Sequence, residues 1–221
     1  MKLIHQNMGH VLEFKNESIN ELVIENRKKF YELVNDIIIQ AEGTYGGYVL
    51  SIEERPVEIS RYIDVILQFA PFQINRKGLL TKLYAELEKK AMNAENYMKT
   101  VELLGNLELY IQQLSDDICF DIDCTKVAIG PIIRALSPEF CESNKSVLEK
   151  VFAYMEMVRE LDRERLFVMV NMRTYFSYED MESFAESVSL HDFNVLLLES
   201  TCLPLLKNTK RYIIDEDLCE I

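Results

Sequence analysis

The feature that most constrains this chain is one long amphipathic stripe in its middle third. Between positions 79 and 115, apolar residues recur at steps of three and four, the spacing of one helix face: Leu80, Leu83, Leu87, Ala91, Ala94, Met98, Val101, Leu104, Leu107, Ile111 and Leu114. A helix of this span is roughly 50 Å long at about 1.5 Å per residue, more than a compact domain of this size can bury. The stripe predicts a protruding, coiled-coil-like arm, with Gly105 as its weak point.

A second amphipathic helix over 146–161 predicts how the arm returns. Its apolar positions lie on one face: Val147, Leu148, Val151, Phe152, Met155 and Val158. Pairing of the two helices in antiparallel fashion would make the arm an insertion. The sequence thus predicts a helical arm over 76–161 and a discontinuous head formed by 1–75 and 162–221.

The flanks of the arm indicate an α/β head. The stretches 166–170 and 195–198 are apolar throughout, as is typical of parallel strands buried on both faces. A helix over 178–190 joins them, which predicts a right-handed βαβ unit. A last strand over 211–214 is expected at the edge. The predicted fold class is α/β, a mostly parallel sheet with an inserted long helical arm.

No catalytic or phosphate-binding motif accompanies this sheet. The chain contains no G-x-x-x-x-G-K-[ST], no G-x-G-x-x-G, no H-E-x-x-H and no G-x-S-x-G. The nearest glycine cluster, 43–47, lacks the lysine and follows a helix, and the residues 171–174 after the buried strand include no glycine. We therefore expect a protein that is not an enzyme and binds no nucleotide. The βαβ unit keeps a degenerate nucleotide-binding protein open as an alternative.

The cellular location follows from what the sequence lacks. No apolar run approaches the roughly 20 residues of a membrane span, and the first residues lack the apolar core of a signal peptide. The five cysteines include no C-x-x-C pair, which favours reduced thiols. We expect a cytoplasmic protein without a membrane partner.

The distribution of charge along the chain says more about possible DNA binding than the net charge does. A net charge of −13 argues against a generic nucleic-acid binder, because phosphate contacts need cations. Between 76 and 99, however, six basic residues face three acidic ones, and these six are the candidate DNA contacts: Arg76, Lys77, Lys82, Lys89, Lys90 and Lys99. The helix dipole disfavours cations in a first turn, so Arg76 and Lys77 point to phosphate contact. A solvated helix face remains the alternative.

An acidic stretch follows the basic one. Positions 102–142 carry eight acidic and two basic residues, including Asp116, Asp117, Asp121 and Asp123. Clustered carboxylates suit a hard cation such as Ca²⁺, although the EF-hand pattern is absent. The alternative is a solvated acidic turn.

Two stretches of the head carry a family resemblance. In 166–180 an apolar strand is followed by Asn171, a Thr-Tyr pair and an acidic helix start, and 189–199 closes with Val-Leu-Leu-Leu-Glu. The stretches 22–26 and 83–88 add to it. In these features the chain resembles the ring-forming, DNA-end-binding adaptation proteins of type II-A CRISPR systems.

The resemblance implies a specific assembly. Members have a degenerate P-loop-like head without a working phosphate loop, and four subunits close a ring around double-stranded DNA. They act in spacer acquisition beside the CRISPR integrase proteins and the RNA-guided effector nuclease. The resemblance implies that the basic residues near the start of the arm contact DNA. It also makes Asp121 and Asp123 Ca²⁺ ligands, with Asp116 and Asp117 as weaker ones, while Cys124 and Thr125 replace acidic residues of the relatives.

A function without DNA stays open at this point. A long apolar stripe in an acidic chain is also expected of a coiled-coil interaction protein that binds another protein and no DNA.

Overall fold

The computed structural model describes residues 1–14, 19–115, 118, 122, 124, 127–142 and 146–221. The chain divides into two compact units. The head unit comprises Met1–Ile74 and Glu142–Ile221, and the helical unit comprises Asn75–Cys141.

The described residues of the head unit form two sheets and four α-helices. The strands are β1 (Lys2–His5), β2 (Leu12–Glu13), β3 (Ile19–Ile24), β4 (Tyr48–Ile52), β5 (Arg55–Val57), β6 (Ile63–Ile66), β7 (Leu166–Val170), β8 (Asn194–Glu199) and β9 (Thr209–Ile214). The helices of the chain are α1 (Arg27–Ala41), α2 (Ile59–Tyr62), α3 (Lys77–Ala91), α4 (Tyr97–Leu114), α5 (Ile129–Leu136), α6 (Val147–Leu161) and α7 (Tyr178–Leu190). Of these, α3, α4 and α5 belong to the helical unit.

The larger sheet of the head has five parallel strands in the order β6-β7-β8-β3-β9. Every residue of β3, β7 and β8 is buried, because helices cover both faces of a parallel sheet. The strand β9 lies at one edge, as expected from the sequence. The predicted α/β class with a parallel sheet is therefore confirmed.

The smaller sheet is antiparallel, in the order β2-β1-β4-β5. Its Leu3 and Leu50 belong to the same buried apolar cluster as Leu33 of α1 and Leu22 and Leu196 of the parallel sheet. One shared core thus joins both sheets and α1 in the head.

The helix α6 does not have the place that the sequence analysis gave it. Its residues belong to the head unit, whereas the prediction put 76–161 in the arm. The strands β6 and β7 are parallel neighbours, and such a pair needs a crossover connection. The helix α6 is that crossover, with Val151, Met155 and Val158 buried. Its start is fixed by a capping box between Ser146 and Glu149.

The predicted single helix over 79–115 is corrected to two helices. The helix α3 ends at Ala91 and α4 begins at Tyr97. In the turn, Asn96 Nδ2 donates to the carbonyl of Lys90 at 3.1 Å and Thr100 Oγ1 donates to that of Ala91 at 2.7 Å. Such side-chain bonds compete with the helical ladder. The chain breaks here, and Gly105, the predicted weak point, lies inside α4.

Within the helical unit, α3 packs against α5. An ion pair joins Arg134 to Glu88 at 3.6 Å, and a Cβ added to Gly130 would lie 2.6 Å from Glu88 Oε1. A side chain at position 130 would therefore displace the carboxylate of Glu88. At the base of the unit, Asn75 and Phe140 exchange two hydrogen bonds, at 2.9 and 3.0 Å. Across the described ranges, no helix has both the length and the apolar character that crossing a bilayer demands.

Candidate nucleic-acid interface

The candidate DNA contacts lie at the start of the helical unit. Arg76 precedes α3 and is half-buried, and Lys77 is the first residue of that helix. Lys82, Lys89 and Lys90 follow on α3 and are exposed, and so is Lys99 on α4. The structure therefore distributes the six cations over two consecutive helices.

Two of these lysines form a stripe. Lys82 and Lys89 are seven residues apart on α3, so they lie within roughly 20° of each other around the axis and about 10 Å apart along it. Lys90 lies roughly 100° further round, and Lys77 points to yet another side. We call Lys82 and Lys89 the α3 lysine stripe. It is the part of the predicted set that a single approaching phosphate backbone can contact at once.

The packing of α3 leaves this stripe to solvent. Leu79 is buried and Leu83 and Leu87 are half-buried, whereas Lys82 and Lys89 are exposed. Lys89 Nζ lies 3.5 Å from a carboxylate oxygen of Glu86. An exposed pair of this kind contributes little and is screened by salt. Lys89 can therefore turn to an external anion at small cost.

The next helix exposes an apolar surface that the sequence analysis expected to be covered. Five residues of α4 share one face by their spacing and are between 37% and 58% exposed: Leu103, Leu107, Tyr110, Ile111 and Leu114. The sequence pattern predicted that this stripe would be covered by a partner helix of the same arm. An exposed apolar face this long marks an interaction surface. We call it the α4 apolar stripe.

The candidate metal ligands cannot be placed. Asp116, Asp117, Asp121 and Asp123 all lie outside the described residues. Among the residues that are described, no group of three or more His, Cys, Asp or Glu side chains could hold a metal ion.

The position at which a phosphate loop would stand is occupied by a short connection. Between β3 and α1 there are two residues, Glu25 and Asn26. Asn26 Oδ1 accepts from the amide of Lys29 at 3.0 Å, and Asn26 Nδ2 donates to the carbonyl of Glu216 at 2.9 Å. Two residues cannot wrap a phosphate as the eight-residue motif does, and Glu25 repels anions.

A buried charged cluster lies near the same edge of the sheet. Glu21 on β3 is fully buried, with Oε1 2.5 Å from Arg173 Nη1 and Oε2 2.6 Å from Nε of Arg211. Arg173 also donates to the carbonyl of Pro204 at 2.6 Å, and its amide donates to Glu199 at 3.0 Å. In the sequence, Glu21 follows Asn20 and precedes the apolar residues 22–24 of the same strand. Its ion pairs link β3 to β9 and to the segment after β7, although Nε of Arg173 and Nη2 of Arg211 are buried without a hydrogen-bond partner.

The carboxyl of Glu199 in this cluster supplies a pH prediction. Burial raises the pKa of Glu199 to about 7, and the charge of Glu21 adds to that rise, although the Arg173 amide opposes it. In an unfolded chain the pKa is about 4.3. Between these values the folded protein holds a proton that the unfolded chain has released, so lowering the pH from about 8 to about 5 stabilises the fold. Glu199→Gln removes this titration.

We therefore expect the difference in unfolding free energy between Glu199→Gln and the parent to change steadily between pH 8 and pH 5. Urea unfolding at four pH values measures it. The matched control is Glu42→Gln, at an exposed position, which should show no such trend. A pH-independent difference for Glu199→Gln would refute the raised pKa.

Comparisons with known proteins match residues of both the head unit and the helical unit. Residues 40–218 match the family model of the CRISPR-associated protein Cas_Csn2. The chain is 21% identical over 202 residues to the CRISPR-associated protein Csn2 of Enterococcus faecalis, a match that covers 91% of this chain and 90% of that relative. It is 23% identical over 150 residues to the CRISPR-associated protein Csn2 of Streptococcus agalactiae. This match covers 66% of this chain and 65% of that relative.

A solved structure gives the same indication for the fold. The crystal structure of Stu0660 of Streptococcus thermophilus superposes with a TM-score of 0.60 at 18% identity. The match covers 90% of this chain and 68% of that one. At this identity the likeness establishes a shared fold.

Proposed function

The chain belongs to the CRISPR-associated Csn2 family of type II-A systems, and from this premise we propose that it binds the ends of double-stranded DNA as a homotetrameric ring. In this role it supports spacer acquisition. It has a CRISPR-associated role as a family member, and the ring and the DNA contact are the proposed elaboration of that role.

The observation that carries the proposal is the α3 lysine stripe. Lys82 and Lys89 present two exposed ammonium groups along one line of a helix, in a chain whose net charge is −13. An acidic chain binds DNA only where its cations are gathered on one surface, because repulsion from the rest must be overcome. A closed ring meets this condition, since four copies of the stripe can line the hole while acidic surfaces face outward.

The mode of binding follows from the residue types. Lysine contacts with phosphate carry no sequence information, so binding should be independent of sequence and steeply dependent on salt. Fluorescence anisotropy with two unrelated duplexes of equal length, over a series of salt concentrations, tests this. Equal affinities with a steep negative slope support the proposal. An affinity that does not respond to salt, or no binding at all, would overturn it.

Self-association is supported by the α4 apolar stripe. Its five side chains lie at steps of four, three, one and three along α4, which is the spacing of a helix–helix contact surface. A second copy of this chain offers the same stripe, and a symmetric contact between two such stripes closes upon itself.

The assembly can be tested with charges on this stripe. Leu107→Glu combined with Leu114→Glu is expected to dissociate the tetramer, because two carboxylates per chain would have to be buried without partners. Multi-angle light scattering measures the mass. Met98→Glu with Leu109→Glu, exposed positions on another face of the same helix, is the matched control and should leave the mass unchanged. Equal masses for the two double variants would contradict this interface.

A function without catalysis is part of the proposal. The two-residue connection Glu25-Asn26 and the carboxylate within it disfavour a bound nucleotide phosphate. A degenerate nucleotide-binding role predicts a thermal shift with ATP or GTP and Mg²⁺, and the proposal predicts none.

Calcium is proposed on residue type alone. The carboxylates of Asp116, Asp117, Asp121 and Asp123 suit a hard cation, and their geometry is not described. We expect EDTA to lower the mass of the assembly and an excess of Ca²⁺ to restore it. An unchanged mass after chelation would remove calcium from the account.

The proposed partners follow from the family. They are the CRISPR integrase proteins and the RNA-guided effector nuclease, and action on DNA beside them would take place in the cytoplasm. A second candidate function, an interaction protein that does not bind DNA, is favoured by the α4 apolar stripe alone. The anisotropy experiment separates the two, because only the ring requires DNA affinity.

A further inference from the structure

The outer edge of the parallel sheet carries a further inference that does not depend on DNA binding. The strand β9 is the last in the strand order and lies beside β3. The two strands are parallel and pair along the whole length of β9. Every second residue of such an edge strand turns its N–H and C=O away from the sheet, where another strand can pair with them.

Two sets of hydrogen bonds fix which residues of β9 face outward. The carbonyl of Ile214 accepts from the amide of Glu25 at 2.9 Å, so the backbone of Ile214 faces β3. Ile213 faces the other way, because its amide donates to the carbonyl of Ile221 at 3.0 Å and its carbonyl accepts from the Ile221 amide at 2.9 Å. Since the direction alternates along a strand, every second residue before Ile213 also faces outward.

The outward-facing residues with open backbone groups are Arg211 and Thr209. Among the described residues, neither has a backbone partner on the outer side. The chain's own residues 219–221 pair with this edge beside 213–215. Two N–H and two C=O groups thus stay open between 209 and 212, a stretch of roughly 13 Å at about 3.3 Å per residue.

The charge along this edge is positive. The strand β9 and the eight residues before it hold three basic residues and no acidic one. Lys207 Nζ lies 3.3 Å from a carboxylate oxygen of Glu182, and Arg211 Nε lies 2.6 Å from one of Glu21. Lys210 is exposed and has no ion-pair partner in the described ranges. The edge therefore offers an available ammonium group beside its open backbone groups.

A second copy of β9 is disfavoured at this edge. In a symmetric contact the same strand lies opposite itself. When the open groups of two antiparallel copies pair, the register places Lys210 opposite Lys210, Arg211 opposite Arg211, or Arg211 opposite Lys207. Like charges directly opposite each other destabilise a strand pair. The edge is thus protected against another copy of itself and favours a strand of opposite charge.

We propose that an extended acidic segment of a partner protein adds to β9 as a sixth strand of the parallel sheet. The segment is antiparallel to β9, and its main chain pairs with Thr209 and Arg211, as in other cases of strand addition. Lys210 and Tyr212 then fall in the non-hydrogen-bonded pairs, where opposite side chains come closest. The partner has a carboxylate opposite Lys210 and an apolar side chain opposite Tyr212.

Four synthetic peptides of about eight residues, an ordinary strand length, test the proposal. The first repeats Glu-Thr-Val-Thr, and the second has lysine at every glutamate position. The other two have the first sequence with N-methyl groups, either on the threonine amides, which would face β9, or on the glutamate and valine amides, which would face away. The first and the last are expected to bind. The lysine peptide and the threonine-methylated peptide are expected not to bind.

Two readouts on the full chain measure the contact. Fluorescence anisotropy of the labelled peptide gives the affinity, and amide hydrogen exchange followed by NMR gives the position. Binding should slow the exchange of the Thr209 and Arg211 amides, because they face outward. The amides of Lys210 and Tyr212 should exchange as before, since they face β3.

A charge reversal at the edge supplies a matched pair of variants. Lys210→Glu should weaken binding of the glutamate peptide about tenfold, because it places like charges opposite each other, and it should let the lysine peptide bind. Arg55→Glu makes the same reversal at an exposed position of β5, the edge strand of the smaller sheet. It should alter the affinity less than about twofold.

Several results would overturn the proposal. They are no binding of the glutamate peptide, equal binding of the glutamate and lysine peptides, the same outcome for both methylated peptides, or equal weakening by the two charge reversals. Slower exchange of the Thr209 and Arg211 amides at higher protein concentration, without peptide, would assign the edge to a second copy instead. None of these readouts involves DNA, so a failure here is distinct from a failure of the DNA proposal.

Discussion

A chain carrying Lys82→Ala and Lys89→Ala is expected to bind linear double-stranded DNA at least about 100-fold more weakly than the parent. Each lysine is proposed to contact a phosphate, and a hydrogen bond to a charged group contributes about 1.5–3 kcal/mol. The loss should be uniform across sequences, because phosphates are contacted and bases are not. The slope of log affinity against log salt should fall by about one for each lost contact.

The matched control replaces two exposed lysines of the head, Lys28→Ala with Lys210→Ala. It removes the same net charge and should change affinity only a few-fold. Circular dichroism and light scattering on both double variants establish that fold and mass are retained. If the head variant weakens binding as much as the stripe variant, the DNA contact is not at α3.

The second large effect is expected in the head. Glu21→Gln should lower the free energy of unfolding by about 3–5 kcal/mol, because it removes the carboxylate that pairs with the buried Arg173 and the half-buried Arg211. That is a large part of the roughly 5–15 kcal/mol that holds a typical domain folded. Urea denaturation followed by circular dichroism measures it.

Its control is Glu25→Gln, four residues along the same segment, where the side chain is half-buried. We expect a change within about 0.5 kcal/mol there. Similar values for both variants would mean that the Glu21 cluster is not important for the stability of the sheet.

The sequence predicted the strands of the head better than the connections between them. β7 and β8 could be recognised because strands buried on both faces read as apolar runs, here 166–170 and 195–198. The place of α6 in the head could not be predicted, because its amphipathic pattern fits a helix of an arm and a crossover helix equally well. Only the pairing of Ile63 with Leu166 makes a crossover necessary. The break between α3 and α4 was missed because the apolar spacing continues across Asn93 and Asn96.

The candidate interface was also predicted only in part from the sequence. The basic residues between Arg76 and Lys99 could be found in the sequence. Which of them share one face depends on their positions around the helix axis, and only the structure of α3 shows that Lys82 and Lys89 do. Contacts between distant segments leave no local pattern. Glu21 and Arg173 are 152 positions apart, and neither position alone predicts their ion pair.

The central claim is that a ring encloses duplex DNA and is loaded over its ends. A mobility-shift competition tests it directly, with the protein bound to a labelled linear duplex and challenged with unlabelled DNA of one sequence in two forms, linear and covalently closed circular. The account predicts that the linear competitor displaces the label and that the closed circle does so poorly. Equal competition by both forms would contradict it.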